Sequence, residues 1–164
     1  MRRLVQLCRL GNQDLNWSIL FPSSLWFPQY MSDIDIHSNL LEHGVVPTPQ
    51  RIKVASVILD RPQHLSADQI MGRLTEQGSE VSKATVYNCL KLFCEKGLIK
   101  EINIEASRKY YDSTTHAHHH FYHVQTGKLT DIPQDNISIV ALPSLPDGTE
   151  QEGIEVLIRL RNKK

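Results

Sequence analysis

Apolar positions from Pro49 onward recur at helical spacing. Ile52, Ala55 and Leu59, with Ile58 beside them, share one face, and Pro62 closes the segment. A second stripe, Ile70, Met71 and Leu74, follows Ser66-Ala67-Asp68-Gln69, in which Ser66 can cap the N3 amide while Gln69 reaches back. Gly78 ends it. A third helix opens at Ser82 and places Val86, Leu90 and Phe93 at i, i+4 and i+7, with Gly97 where a left-handed C-terminal residue is wanted. The pattern then shortens to two strand-like runs, Leu98 to Ile104 and Arg108 to Asp112, separated by Glu105-Ala106-Ser107. Further on, His116 to His123 and the segment after Thr126-Gly127 pair as a predicted hairpin. The stretch from Gln134 to Leu145 is too short and Pro-bounded for a long helix. In the last segment Ile154, Val156, Ile158 and Leu160 alternate onto one face, which suits an intersubunit sheet.

Three short helices followed by two strands is the order of a winged helix. In that arrangement the third helix enters the DNA major groove, and its non-core face offers Lys83, Thr85, Tyr87, Asn88 and Lys91. These combine phosphate-binding charge with groups able to touch base edges; the bland alternative is a solvated helix face. With 18 basic and 18 acidic residues the formal charge is zero, so nucleic-acid binding must come from a local basic face. At 164 residues the chain can form one domain or two small ones, and small domains gain from a dimer or a metal.

Residues 1–30 have a basic opening and an apolar patch broken by Pro22, Ser23 and Ser24, too short and interrupted for a membrane span. They are expected to be a disordered extension, or one that is not natively translated, because Met31 precedes a polar, acidic helix-start sequence. Cys8, Cys89 and Cys94 form no C-x-x-C pair and are odd in number, which argues against a disulfide framework and for a reducing cytoplasm.

Five of the eight histidines fall between His116 and His123. On a strand, His118 and His120 point one way while His119 and His123 point the other. Asp112 precedes that strand and Asp131 lies on the next, so one hairpin offers two nitrogens and two oxygens. Such a set suits Fe(II), Mn(II) or Zn(II), against the alternative of fortuitous surface clustering.

The runs Pro47-Thr48-Pro49-Gln50-Arg51, His64 to Ile70, Ser82-Lys83-Ala84-Thr85-Val86-Tyr87-Asn88, and Leu92 to Ile99 together resemble the DNA-binding half of the ferric uptake regulator family. The resemblance implies an α+β chain. Its parts are an N-terminal winged helix-turn-helix domain, residues 31–112, and a small α/β dimerisation domain, residues 113–164. Two copies are implied to read an A·T-rich inverted repeat of double-stranded DNA as a homodimer, Tyr87 contacting a base and Arg51 and Lys83 holding the backbone within a surface that also includes Ser82, Thr85 and Asn88. Asn88 stands where members commonly have Arg, and Val46 and Pro47 where many have a basic residue.

In the peroxide-sensing branch the regulatory ion is held at positions that correspond here to His64, Asp112, His118, His120 and Asp131. One divalent ion per subunit is thus implied, fixing the angle between the halves. The His118-His119-His120 triplet, Asp131-Ile132-Pro133 and Leu142 to Gly148 leading to Arg161 look like the iron response regulator subgroup, in which the triplet is implicated in haem binding. The C-x-x-C zinc staple of many members is replaced by His123-Val124-Gln125-Thr126, and no Cys-Pro haem motif occurs. The implied function is a metal-responsive repressor of iron and haem homeostasis or oxidative stress, not an enzyme. Its rivals are a metal-dependent hydrolase, which would need an open coordination position and a general base, and a His-rich metal-binding protein.

Overall fold

The computed structural model of the chain describes residues 33–105 and 108–163, so the expected extension at residues 1–30, with Cys8, lies outside the described residues. Four helices come first: α1 (Asp33–Glu42), α2 (Pro49–Ile58), α3 (Ala67–Glu76) and α4 (Lys83–Glu95), with a short strand β1 (His64–Leu65) before α3. Then come β2 (Lys100–Glu105), β3 (Arg108–Asp112), β4 (His118–His123), β5 (Lys128–Pro133), a single 3-10 turn at Gln134–Asn136, and β6 (Leu157–Leu160). The segment expected to lack a long helix has only that turn.

Local chemistry sets the helix ends. Thr48 caps α2, accepting from the Arg51 amide, and Pro49 occupies the first turn, where its missing N–H costs nothing. At α3 the Ser66 hydroxyl accepts from the Gln69 amide at 3.2 Å while the Gln69 side chain accepts from the Ser66 amide at 2.8 Å, completing a capping box. Ser82 caps α4. At its other end Gly97 takes φ +70°, so that the Leu98 amide donates to the Phe93 carbonyl at 2.9 Å. A side chain there would strain the left-handed backbone that the bond requires.

Two apolar cores result. The first joins all four helices: Ile36 and Leu40 of α1, Val54, Ala55 and Ile58 of α2, Ile70 and Leu74 of α3, and Val86, Leu90 and Phe93 of α4. Each large aliphatic or aromatic side chain so buried contributes roughly 1.5–3 kcal/mol relative to exposure. α1 packs as well, its i, i+4 pair Ile36 and Leu40 carrying the same periodicity as the later helices. The second core is smaller: Ile102 and Ile104 of β2 meet Tyr122 and Leu129, with Tyr110 and Leu157 against them.

The strands form two three-stranded sheets, ordered β1-β3-β2 and β5-β4-β6. β1 pairs antiparallel with β3 so that His64 stands opposite Asp112. β4 pairs antiparallel with β5, His120 opposite Asp131, and parallel with β6, His120 opposite Leu157. The final strand is shorter than the expected Ile154 to Leu160, because residues 151–156 form no regular element and only Leu157–Leu160 pair as a strand.

Candidate metal centre

His64 enters the site from the two-residue strand β1, and its neighbours hold it there. The Gln63 amide donates to the Ser113 hydroxyl at 3.0 Å and the Ser113 amide to the Gln63 carbonyl at 3.2 Å, closing a contact 50 residues apart in sequence. That closure fixes the last residue of β3, Asp112, beside His64. Thr114 donates its amide to Asp112 Oδ1 at 2.7 Å, so Oδ2 is the oxygen left to face inward. Alternation along β4 supplies His118 and His120 to the same point. Asp112, His118 and His120 are buried, at 0, 7 and 2% exposure.

Three imidazole nitrogens converge on one carboxylate oxygen. Asp112 Oδ2 lies 2.9 Å from His118 Nε2, 3.5 Å from His64 Nε2 and 3.5 Å from His120 Nε2. All four atoms are buried, and none makes a hydrogen bond. One ligand atom from each of the four residues lies within 4.8 Å of every other. Asp131 stands at the rim: its side chain is 39% exposed, with Oδ1 3.0 Å from His64 Nε2 and 3.9 Å from His118 Nε2.

The outer nitrogens fix what the inner ones can do. His118 Nδ1 lies 2.9 Å from the His116 carbonyl and His120 Nδ1 lies 3.0 Å from Glu155 Oε1, both of which can only accept. Each ring therefore donates through Nδ1, and in the neutral tautomer each Nε2 presents a lone pair to the centre. Lone pairs facing a carboxylate repel unless a cation lies among them. Nitrogen and oxygen ligands about 2.1 Å from one ion stand roughly 3–3.5 Å apart, which is the spacing observed around Asp112 Oδ2. The donor set fits a divalent transition metal.

The electrostatics show that the centre favours positive charge. Burial alone would push the Asp112 carboxyl up, but the rings of His120 and His64, the Thr114 amide and the charge of His64 outweigh it and hold the group well below the usual carboxylate range. Burial opposes protonation of His120, yet Asp112, Glu155 and Asp131 together raise its pKa. Glu155 was absent from the expected site: it lies 35 residues from His120 and comes near only because β6 runs beside β4.

A sequence profile described as the ferric uptake regulator family matches residues 42–150. The chain belongs to the ferric uptake regulator family. Members are metal-responsive transcription regulators, not enzymes. The peroxide-responsive repressor PerR of Staphylococcus aureus is 35% identical over 101 residues, covering 60% of this chain and 68% of that protein. Among solved structures, the ferric uptake regulator of Pseudomonas aeruginosa with manganese superposes with TM-score 0.60 at 25% identity, over 78% of this chain and 98% of that one. The Francisella tularensis ferric uptake regulator with iron gives 0.59 at 22% identity, over 73% and 93%, and speaks to the fold alone.

Most of the residues expected to meet DNA lie on α4 or cap it in this family member. Lys83, Tyr87, Asn88 and Lys91 are exposed, and Thr85 is half-buried. Ser82 and Thr85 are partly committed to the fold: their hydroxyls lie 2.8 Å apart and Ser82 caps the helix. Lys83 Nζ lies 5.8 Å from the Tyr87 ring centroid, a cation over an aromatic face. Arg51 donates to the Val46 carbonyl at 2.9 Å, which holds its guanidinium at the start of α2. His119, grouped with His118 and His120 as a haem candidate, is 3% exposed, and its Nδ1 accepts from the Val156 amide at 3.3 Å. Among the described residues no helix is long and apolar enough to cross a membrane.

Proposed function

We propose that the chain is a dimeric repressor whose grip on an A·T-rich inverted repeat is set by one divalent ion per subunit. His64, Asp112, His118 and His120 hold the ion, with Asp131 closing the rim. The observation that carries this reading is the buried convergence of three Nε2 atoms on Asp112 Oδ2 without a hydrogen bond among them. When bound, the ion supplies the positive charge that the three lone pairs and the carboxylate lack.

The ligands are distributed across the chain in a way that makes the ion a clamp. His64 lies two residues before the Ser66 cap of α3, and α3 packs on α4, the helix carrying Lys83, Tyr87 and Asn88. His118, His120 and Asp131 belong to the second sheet. Residues 31–112 read DNA and residues 113–164 form the dimer, so drawing His64 onto β4 fixes the spacing of two recognition helices. Loss of the ion releases it.

The reading places the protein in the cytoplasm as a regulator of iron and haem homeostasis or of the response to peroxide, and not as an enzyme. Acidic ligands that are Asp at both positions, and the peroxide-responsive relative, support the peroxide arm. Burial of His118, His119 and His120 favours an ion over haem, since a haem plane needs an accessible imidazole edge.

The test is a DNA-mobility titration of the purified protein on an A·T-rich inverted repeat, with chelator, Mn(II), anaerobic Fe(II) and haem as separate arms. Binding that needs the ion and disappears in His118→Ala supports the clamp. Absence of binding in every arm, with metal still held tightly, overturns it in favour of a metal-binding protein.

A further inference from the structure

Two consecutive histidines of β4 hold both residues that lead into β6. His120 donates through Nδ1 to Glu155 Oε1 at 3.0 Å, and its amide donates to the Val156 carbonyl at 2.9 Å. His119 accepts from the Val156 amide at 3.3 Å. The entry to the edge strand is thus fastened to the same ring whose Nε2 faces the centre. We propose that Glu155 is a positioning residue that couples the metal centre to β6, so that ion binding and placement of this strand stabilise each other. This rests on the metal-binding reading given above.

The geometry gives Glu155 a task beyond stability. Its side chain is 52% exposed while the His120 side chain is 2% exposed, so the carboxylate reaches in from solvent. A pair with one half-exposed partner adds little to folding. Its effect falls on the ring: a carboxylate accepting from Nδ1 fixes the imidazole plane, selects the tautomer with a free Nε2 and strengthens that nitrogen as a ligand. No short sequence signal marks this role.

What the coupling moves is an edge. β6 lies outermost in the sheet order β5-β4-β6, and its Ile158 and Leu160 are 37 and 38% exposed despite being apolar. Arg159 donates to the Ile104 carbonyl at 2.8 Å, tying the same strand to β2. An exposed apolar edge strand is the kind of surface that a second copy covers. If the ion orders His120, Glu155 and β6 as one unit, the ion tightens the dimer, and by reciprocity the dimer tightens the ion by the same factor.

The experiment uses the full chain with Co(II) as a spectroscopic probe. It measures Co(II) affinity, the ligand-field absorption of the bound ion, and the monomer–dimer constant by sedimentation with and without Co(II). Glu155→Ala is compared with Glu152→Ala, a neighbouring acidic residue that gives the same change of net charge. The expected result for Glu155→Ala is a Co(II) affinity lower by about 10- to 100-fold, the range for losing a partner of a ligating histidine, with a shifted ligand-field band. The Co(II)-induced tightening of the dimer shrinks with it, and Glu152→Ala changes neither. Affinity and spectrum within threefold of the wild type, or a dimer constant indifferent to Co(II), overturns the coupling while leaving the metal site standing. A wild-type chain that binds no Co(II) overturns the metal reading itself, and the coupling with it.

Discussion

Replacing Asp112 by asparagine removes the one buried carboxylate oxygen on which three Nε2 atoms converge, and changes the side chain's size hardly at all. Oδ1 keeps a counterpart: an amide oxygen can still accept from the Thr114 amide, now at 2.7 Å. The inner position loses its charge, and with it an anionic ligand. Loss of an outer partner of a metal ligand costs about 10- to 100-fold in affinity, so loss of this inner one is expected to cost at least about 100-fold. At a free metal concentration 100 times the wild-type dissociation constant, binding stabilises the wild type by about 2.7 kcal/mol and the variant by only about 0.4 kcal/mol. For a chain of this size each kcal/mol moves the melting temperature by roughly 2–4 °C, so the metal-induced rise should be smaller by about 5–9 °C. Differential scanning fluorimetry of each protein with chelator and with Zn(II) or Mn(II) reads that difference directly, and referring each protein to its own chelated state removes any effect of the substitution on the metal-free fold. A variant whose metal-induced rise equals that of the wild type refutes the assignment of Asp112 as a ligand.

Acid titration of the metal-free protein tests the same carboxyl from another side. Folding lowers its pKa, so its contribution is present above about pH 4 and fades as the pH falls further, and Asp112→Asn should lack this acid-side loss in urea melts. Tyr87→Ala, at an exposed position on α4, should weaken operator binding by about 1–3 kcal/mol in a mobility assay with metal affinity retained, whereas retained DNA binding would move the reading surface elsewhere. Ser66→Ala removes the hydroxyl that accepts from the Gln69 amide, while the residue-66 amide can still donate to the Gln69 side chain, and should lower stability by about 1 kcal/mol in thermal unfolding; an unchanged melting temperature would mean that the cap adds nothing to α3.

Much of this protein was legible in its sequence because the deciding signals are local. Helix starts at Ser66 and Ser82, the left-handed stop at Gly97, and the stripes Ile70/Leu74 and Val86/Leu90/Phe93 each depend on residues within a turn or two of one another. Strand alternation likewise put His118 and His120 on one side before any tertiary contact was known. The tertiary structure alone decided how these pieces meet. It brought His64 against Asp112 through the Ser113 bridge, left Asp131 at the rim of the centre, and buried His119 as well as its neighbours because both faces of β4 are covered. It also brought Glu155 to His120 through a parallel strand pairing 35 residues away. Periodicity says which face a residue occupies, but not what packs on that face, because a pairing between distant segments depends on the packing free energy of the whole fold and leaves no mark on the spacing of either segment.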